Sequence, residues 1–498
     1  MSDIKKLAGQ TAVYGIPTIV GRFLNYFLVP LYTYNIATQD YGMVSELYAY
    51  VAFLMIVLTY GMETAFFRFS QDYDKQKVYN TAMFSLCVST ALFLFITFSC
   101  LSPITSALEY QGHPSYIVLF LLILAIDALK AIPYALLRRE NQPKRFALIK
   151  SMDIFSNIFF NLFFIALCPV LYKANFGLVK SFFNPNDLVF YIFLSNLLAS
   201  VIAMIMLLPE YRKLRFNIDF SLLKKMLAYG FPVMIGGLAG MVNETFDRIA
   251  LKHLVSVPYE YITPEEIAEY KMSQIGIYGA CYKLSIVISL FIQALKFAAE
   301  PFFFSKMKKE DAKKSYSSVM TAFVMFLCLI FLVVMGYIDL FQYFMGKDYR
   351  EGLAVVPILL MANIFLGIYY NLSIWYKVTD KTKWGAYIAL MGAFLTLVGN
   401  YVLVPLIGYL GAAISTLVCY VFIAVVCYLV GQKYYPVDYK LGRIFTYIFL
   451  ALLMYFAMYW ISLNVYSVFL RILINTIFIL AYLALAFKLD IKRMIKER

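Results

Sequence analysis

Apolar residues run along this chain in long blocks, separated by short polar stretches that carry most of its lysines and arginines. A helix of about 20 apolar residues reaches across the hydrocarbon core of a bilayer. Lipid offers the backbone no hydrogen-bond partners, so blocks of that length must close their hydrogen bonds internally, as helices. The pattern predicts fourteen spans, roughly 10–35, 42–68, 79–101, 116–137, 146–171, 188–208, 226–253, 276–303, 315–337, 354–376, 384–406, 410–431, 443–462 and 467–487. The fold class that follows is an all-α polytopic membrane protein.

Two of these spans open on nearly the same letters. Tyr14 to Gly21 read "YGIPTIVG" and Tyr229 to Gly236 read "YGFPVMIG", 215 residues apart. The echo continues in "YGMVSELY" at Tyr41 and "YGACYKLS" at Tyr278, and at the same offset of 237 Glu63 meets Glu300. The change of offset is read as a 22-residue insertion in the loop near 254–275. The expectation is a duplication: two six-helix lobes with the same topology, 1–215 and 216–435, followed by two additional helices and a tail in 436–498. Parallel repeats of this kind relate two lobes by an axis along the membrane normal, and rocking of the lobes gives alternating access to a central cavity. Pro17 and Pro232 each remove an intrahelical hydrogen bond, so the lead helices are expected to bend there. Packing alone is the competing reading of the octet's glycines.

Composition agrees with this picture. Hydrophobic residues make up 62% of the chain and charged residues 14%, with a mean hydropathy of +0.75, too few charges to solvate a globular surface. The net charge of +14 does not indicate nucleic acid, because the excess is spread over short loops. With the amino terminus placed in the cytoplasm, 31 of the 43 Lys and Arg fall in cytoplasmic segments, seven in outer ones and five within spans. This is the positive-inside pattern, and it puts both termini on the cytoplasmic side. The first apolar segment lacks a small-residue cleavage site and is expected to be retained as a span. The seven cysteines form no CxxC pair and there are only two histidines, so neither a metal nor a cofactor is expected. No GxxxxGK[ST] string is present.

Short motifs carry a family resemblance. "VNETFDRIALKHLV" (242–255) followed by "IGIYGACYKLS" (275–285) resembles the polysaccharide transporter family, flippases of lipid-linked oligosaccharides within the multidrug/oligosaccharidyl-lipid/polysaccharide superfamily. "FMGKDYREGLAVVPIL" (344–359) and "PLYTYNIATQDYG" (30–42) are similar to other segments of that family. The matching residues include Asp247, Arg248, Gly276 and Tyr278. The resemblance implies a multi-pass protein of the bacterial cytoplasmic membrane that moves an isoprenoid-pyrophosphate-linked oligosaccharide to the outer leaflet, for export of surface polysaccharide.

Charged residues inside spans then become the candidate site. Each costs about 2.5–3.5 kcal/mol at mid-bilayer on insertion scales, so it must face water or a partner. The expected substrate contacts are Arg22 and Asn25 on one face of the first span, Arg68 in the second, Asp153 and Asn157 in the fifth, and Lys283, Gln293 and Lys296 in the eighth. Arg22 resembles the cavity arginine of lipid-linked-sugar flippases. Lys283 stands alone in sequence, whereas Lys296 and Glu300 have the spacing to neutralise one another. Asp127 and Lys130, three apart, have the spacing of a self-satisfied pair, and Asp153, Asn157 and Asn161 form a polar line along one helix face. Glu63, Glu244, Asp247, Arg248 and Glu300 are the candidates for ion coupling, with Na+ or H+ as the counter-ion, or for structural ion pairs.

The expected partners are the lipid-linked oligosaccharide and membrane lipids. Two rivals remain at this level: a drug/cation antiporter of the same superfamily, and an intramembrane glycan-processing enzyme. The latter would use the acids of the 254–275 loop, Glu260, Glu265, Glu266 and Glu269, which show no catalytic spacing. A non-enzymatic transporter is the primary expectation.

Overall fold

The computed structural model describes residues 20–488 apart from 22, 216, 307–311 and 380, and for 294–306 it describes the backbone alone. Pro17 and Arg22, and the side chains of Lys296 and Glu300, therefore lie outside the described residues. Among the described residues every element is helical. Twelve helices are long and apolar enough to cross a membrane. They are α1 (Thr38–Phe69), α2 (Lys75–Ser99), α3 (Pro114–Arg139), α4 (Pro143–Lys173), α5 (Leu188–Met206), α6 (Phe220–Leu254), α7 (Pro264–Lys306), α8 (Ala312–Gly336), α9 (Lys347–Val378), α10 (Lys383–Tyr434), α11 (Leu441–Asn464) and α12 (Val468–Ala486). The 52 residues of α10 are interrupted at Ile407 (φ −138°) and Gly408 (φ 56°, ψ −135°), so they form two helices on either side of a break. Of the predicted first span, 10–35, residues 10–19 and 22 lie outside the described residues.

Helix starts are written in local sequence. Asp74 accepts from the Lys77 amide at 2.9 Å and caps α2, while Asp187 accepts from the Phe190 amide and caps α5. Pro114, Pro143 and Pro264 sit at first-turn positions, where a missing N–H costs nothing. At α7 a reciprocal capping box operates. The Glu266 carboxylate accepts from the amides of Ile262 and Thr263, and the Glu266 amide donates to Thr263 Oγ1. This corrects the predicted loop at 254–275: from Pro264 onward it is helix, and the insertion lengthens α7 to 43 residues. "TPEE" at 263–266 was the overlooked signal, and it removes Glu266 from any catalytic set.

Packing groups the chain into two compact units. Of the described residues, one unit comprises those within 20–252 and 259–276, and the other those within 253–258 and 277–488. The lobes read from the sequence repeat describe ancestry, which is a separate proposal from this grouping by contact.

In the first unit α3 is the central helix, packed on α1, α2, α4 and α5. Leu124, Ala128, Ile132, Ala135 and Leu137 along it are fully buried. Backbones approach closely at glycines. A Cβ on Gly42 of α1 would lie 1.9 Å from the Met272 carbonyl oxygen, and one on Gly276 of α7 would lie 1.9 Å from that of Thr38. Gly61 (φ +72°), at the break within α1, and Gly230 of α6 meet in the same way. The octet glycine Gly230 thus serves packing, and α6 runs through Pro232 as one continuous 35-residue helix. In the second unit α8 packs against α9, α11 and α12, and α9 packs on α10.

Candidate functional site

The first unit carries its charges in three clusters along the membrane-crossing direction. The middle one is a network on α3, α4 and α5. Asp127 lies thirteen residues into α3, about 20 Å along its axis at 1.5 Å per residue. Lys130, one turn on, is 4% exposed and sits 2.7 Å from the Asp127 carboxylate. It also lies 3.7 Å from Asp153 of α4 and donates to Ser200 Oγ of α5 at 3.2 Å. Ser200 in turn donates to Asp127 at 2.8 Å. Lys150 is 3.9 Å from Asp153 and stands over the Tyr134 ring at 4.6 Å. Two carboxylates thus face two ammonium groups, which is how four charges are held at mid-membrane depth.

The Asp127–Lys130 pair predicted from spacing is therefore present, but as part of a larger set. Sequence reading missed Ser200 because its partners Asp127 and Lys130 lie on another helix, and it passed over Lys150, which lies one turn before Asp153 on α4. The polar line on α4 continues beyond Asp153. Asn161 donates to the Asn157 carbonyl at 2.8 Å and its amide nitrogen is 3.0 Å from Asn157 Oδ1. Tyr32 donates to Asn161 Oδ1 at 2.8 Å. One turn further α4 adopts π-helical turns over Leu162–Leu167, a distortion frequent at functional sites. Asn25 is exposed.

The second cluster lies where α1, α3 and α5 end. Glu63 pairs with Arg138, whose guanidinium also lies 4.8 Å over the Phe67 ring. Arg68 pairs instead with Asp72 at 2.5 Å, on an exposed helix end. Glu63 and Arg68, five apart in the chain, thus have different partners. Nearby, Glu210 is fully buried and takes Arg145 at 2.9 Å. Burial pushes the Glu210 carboxyl above its usual range, and the Arg145 charge opposes that rise.

The third cluster, at the opposite end of these helices, was not anticipated. Glu46 of α1 and Lys252 of α6 are 0% and 1% exposed and lie 3.0 Å apart. Tyr110 donates to Glu46 at 2.8 Å, and Lys252 donates to the Leu108 carbonyl at 2.5 Å. Lys252, one of the seven cations counted above as outer, is a buried residue near the end of α6. One turn earlier on the same helix, Asp247 and Arg248 pair at 3.0 Å, and both are largely buried. Glu244 is exposed, and Arg248 donates to its backbone carbonyl. Of the eighth-span candidates, Lys283 and Gln293 belong to the second unit and are half-buried. Lys283, which stands alone in sequence, has an interaction partner in the fold. Among the described residues no group of three His, Cys, Asp or Glu side chains is placed to hold a metal.

The model of the family described as polysaccharide biosynthesis protein matches residues 7–307, more than half of the chain. The chain belongs to the polysaccharide biosynthesis protein family. Among curated relatives, the capsular polysaccharide biosynthesis protein CapF of Staphylococcus aureus is 22% identical over 415 residues, covering 81% of this chain and 93% of CapF. The Lsg locus putative protein 1 of Haemophilus influenzae is 20% identical over 311 residues, 61% of this chain and 68% of that protein. Among solved structures, the lipid II flippase MurJ in an inward closed conformation aligns with a TM-score of 0.72 at 14% identity, over 95% of this chain and 98% of MurJ. An inward-facing multidrug resistance MATE family transporter of the MOP superfamily aligns with a TM-score of 0.56 at 14% identity, over 87% and 94% of the two chains. The polysaccharide biosynthesis family member is thus an all-helical, multi-pass membrane protein with the fold of these transporters.

Proposed function

We propose that this member of the polysaccharide biosynthesis family is a flippase that moves an isoprenoid-pyrophosphate-linked oligosaccharide from the cytoplasmic to the outer leaflet of the bacterial cytoplasmic membrane. Two six-helix lobes, with both termini cytoplasmic, would alternate access to a shared cavity. The single observation that carries the reading is the polar face of α4 in the first unit, where Asp153 joins Asp127 and Lys130 and, further along, Asn157 joins Asn161 and Tyr32. Amides and a phenol in a membrane helix give a sugar's hydroxyls both donors and acceptors. The polysaccharide family membership and the flippase fold support the same substrate class.

The anionic headpiece needs cations, and Arg22, Lys283 and Lys296 are the residues proposed to meet the pyrophosphate. Lys130 and Arg248 are already neutralised by Asp127 and Asp247, so they contribute little free positive charge. Transport needs no ATP on this reading. Two negative charges moving outward from a negative interior gain about 4.6 kcal/mol per 100 mV. The rival antiporter needs a carboxylate open to its cation; Asp127, Asp153 and Asp247 each lie against a Lys or Arg, which leaves the exposed Glu244 as its candidate on α6. The fold shared with flippases and transporters supports a transporter without enzymatic activity.

The test is translocation of a fluorescent lipid-linked oligosaccharide by the purified protein in vesicles, with and without an imposed potential. Movement without ATP, accelerated by an inside-negative potential and lost in Arg22→Ala with normal insertion, is the expected result. Vesicles that accumulate no outer-leaflet substrate under either condition overturn the proposal.

A further inference from the structure

At the end of α4 the chain turns sharply and begins a short helix, Gly177–Phe182. The turn is a Schellman motif. The Asn175 amide donates to the Tyr172 carbonyl, the Phe176 amide donates to the Leu171 carbonyl, and Asn175 takes the left-handed conformation at φ 61°. The short helix is held from one side. Val179 and Phe183 are buried, and the Phe183 ring packs on Tyr191 of α5 at 4.9 Å and on Tyr172 of α4 at 6.2 Å. Tyr191 donates to the Phe182 carbonyl and accepts from the Asn184 amide, both at 2.9 Å.

Fixing that face fixes the others, because successive residues advance by a constant angle around a helix. Leu178 and Phe182, four apart, form a second apolar face beside the buried one and are 71% and 50% exposed. Gly177, Lys180 and Ser181 fill the remaining arc and are exposed. One face thus meets the protein, one is apolar and uncovered, and one is polar.

Two observations say what covers the apolar face. Along α4, Leu148, Met152, Phe155, Phe159 and Leu162 recur at spacings of three and four with exposed side chains, the row that a membrane-crossing helix turns to lipid. Val170, Phe176, Leu178 and Phe182 carry exposed apolar side chains onward, through the turn and into the short helix. The second observation is charge. Two of the seven cations assigned to outer segments, Lys173 and Lys180, flank this helix, and both are exposed. Lys180 Nζ stands 5.8 Å from the Tyr172 ring centroid. The acid next along the chain, Asp187, is taken up by the Tyr116 hydroxyl and the Phe190 amide. Apolar side chains beside ammonium groups suit the headgroup zone of a bilayer, where the former reach the acyl chains and the latter stay with the phosphates.

We propose that Gly177–Phe182 is an interfacial helix lying on the bilayer surface, with Leu178 and Phe182 inserted among the lipids and Lys173 and Lys180 at the lipid phosphates. It fixes the depth of α4, and with it the level of Asp153, Asn157 and Asn161. The inference does not rest on the transport reading. Only the choice of surface rests on the proposed orientation, which makes it the outer one.

The test uses the full chain in nanodiscs of phosphatidylethanolamine and phosphatidylglycerol. Cys87→Ser and Cys100→Ser remove the thiols that are not buried. A nitroxide is then attached at Leu178→Cys, at Ser181→Cys or, as the lipid reference, at Phe159→Cys. Power-saturation EPR compares collisions with oxygen, which concentrates in lipid, and with Ni-EDDA, which stays in water. The oxygen-to-nickel ratio is expected to be several-fold higher at position 178 than at 181, and lower than at 159. Phe182→Cys repeats the reading on the same face and keeps the test valid if the label at 178 disturbs the helix. Lys173→Glu with Lys180→Glu should lower the ratio at 178, because the phosphates then repel the helix. Equal ratios at 178 and 181 would overturn the interfacial helix, as would exclusion of both reagents from 178, the mark of a protein covering the face. An unchanged ratio in the lysine variant would overturn the phosphate contact. Nanodiscs present both bilayer surfaces, so the outcome is independent of orientation and of transport.

Discussion

At the scale of single residues, the charges of this protein are matched with little waste. The Glu46–Lys252 pair is the most demanding case, because neither partner reaches solvent. Removing one member leaves a bare buried charge, which costs about 3–5 kcal/mol, whereas replacing both with apolar residues of similar volume is close to neutral. Lys252→Met is therefore expected to destabilise by about that amount, and Lys252→Met with Glu46→Leu to recover most of it. Arg68→Ala serves as the contrast: its partner Asp72 is half-exposed, and the expected loss is under about 1 kcal/mol. Unfolding midpoints in a fixed detergent measure all three, and a double variant no more stable than the single one would argue against a paired charge. Residues 206 apart carry no local sign of each other, so Glu46 read as one polar letter in "YGMVSELY" and Lys252 as a loop cation. Pairs at spacings of three or four, such as Asp127 and Lys130, were legible because a single helix face joins them.

At the scale of elements, helix crossings depend on the absence of a side chain. Gly276→Ala would place a methyl group 1.9 Å from the Thr38 carbonyl oxygen, a backbone atom that cannot rotate away. Overpacking of this kind costs about 1–3 kcal/mol. Gly240 lies in the interior of α6 with nothing within 4 Å of a built Cβ. Gly240→Ala is expected to stabilise by about 0.5–1 kcal/mol, because alanine loses less entropy on joining a helix. The opposite signs of the two shifts, read in one thermal-unfolding series, test whether close approach explains the family-type motif at Gly276. A neutral Gly276→Ala would sink that explanation. The apolar blocks announced the helices themselves, but not their lengths. The Thr263–Glu266 cap began α7 twelve residues before its predicted start, where charge in the segment suggested a loop.

At the scale of the whole molecule, the positive-inside pattern predicts which ends of the helices face the cytoplasm. In a cysteine-free background, Tyr259→Cys should react with a membrane-impermeant maleimide in intact cells, and Lys75→Cys should react only after permeabilisation. Both positions are exposed in the fold, so failure to label would not reflect burial. Reversal of the two results would invert the proposed direction of transport. The translocation assay then asks about cargo, which fold similarity at 14% identity leaves to experiment.

The sequence by itself determined that this chain crosses the membrane many times as helices, because bilayer thickness and backbone hydrogen bonding act on each block independently. It also carried the family, through short motifs. Tertiary structure alone decided which charges meet: Lys130 with Asp153, Glu63 with Arg138, Glu46 with Lys252. It alone assembled a cavity around Asp339 and Arg471 from helices far apart in the chain. The reason is range. Hydrophobicity and capping act over a few residues, whereas a buried charge is satisfied by whichever helix packing brings beside it.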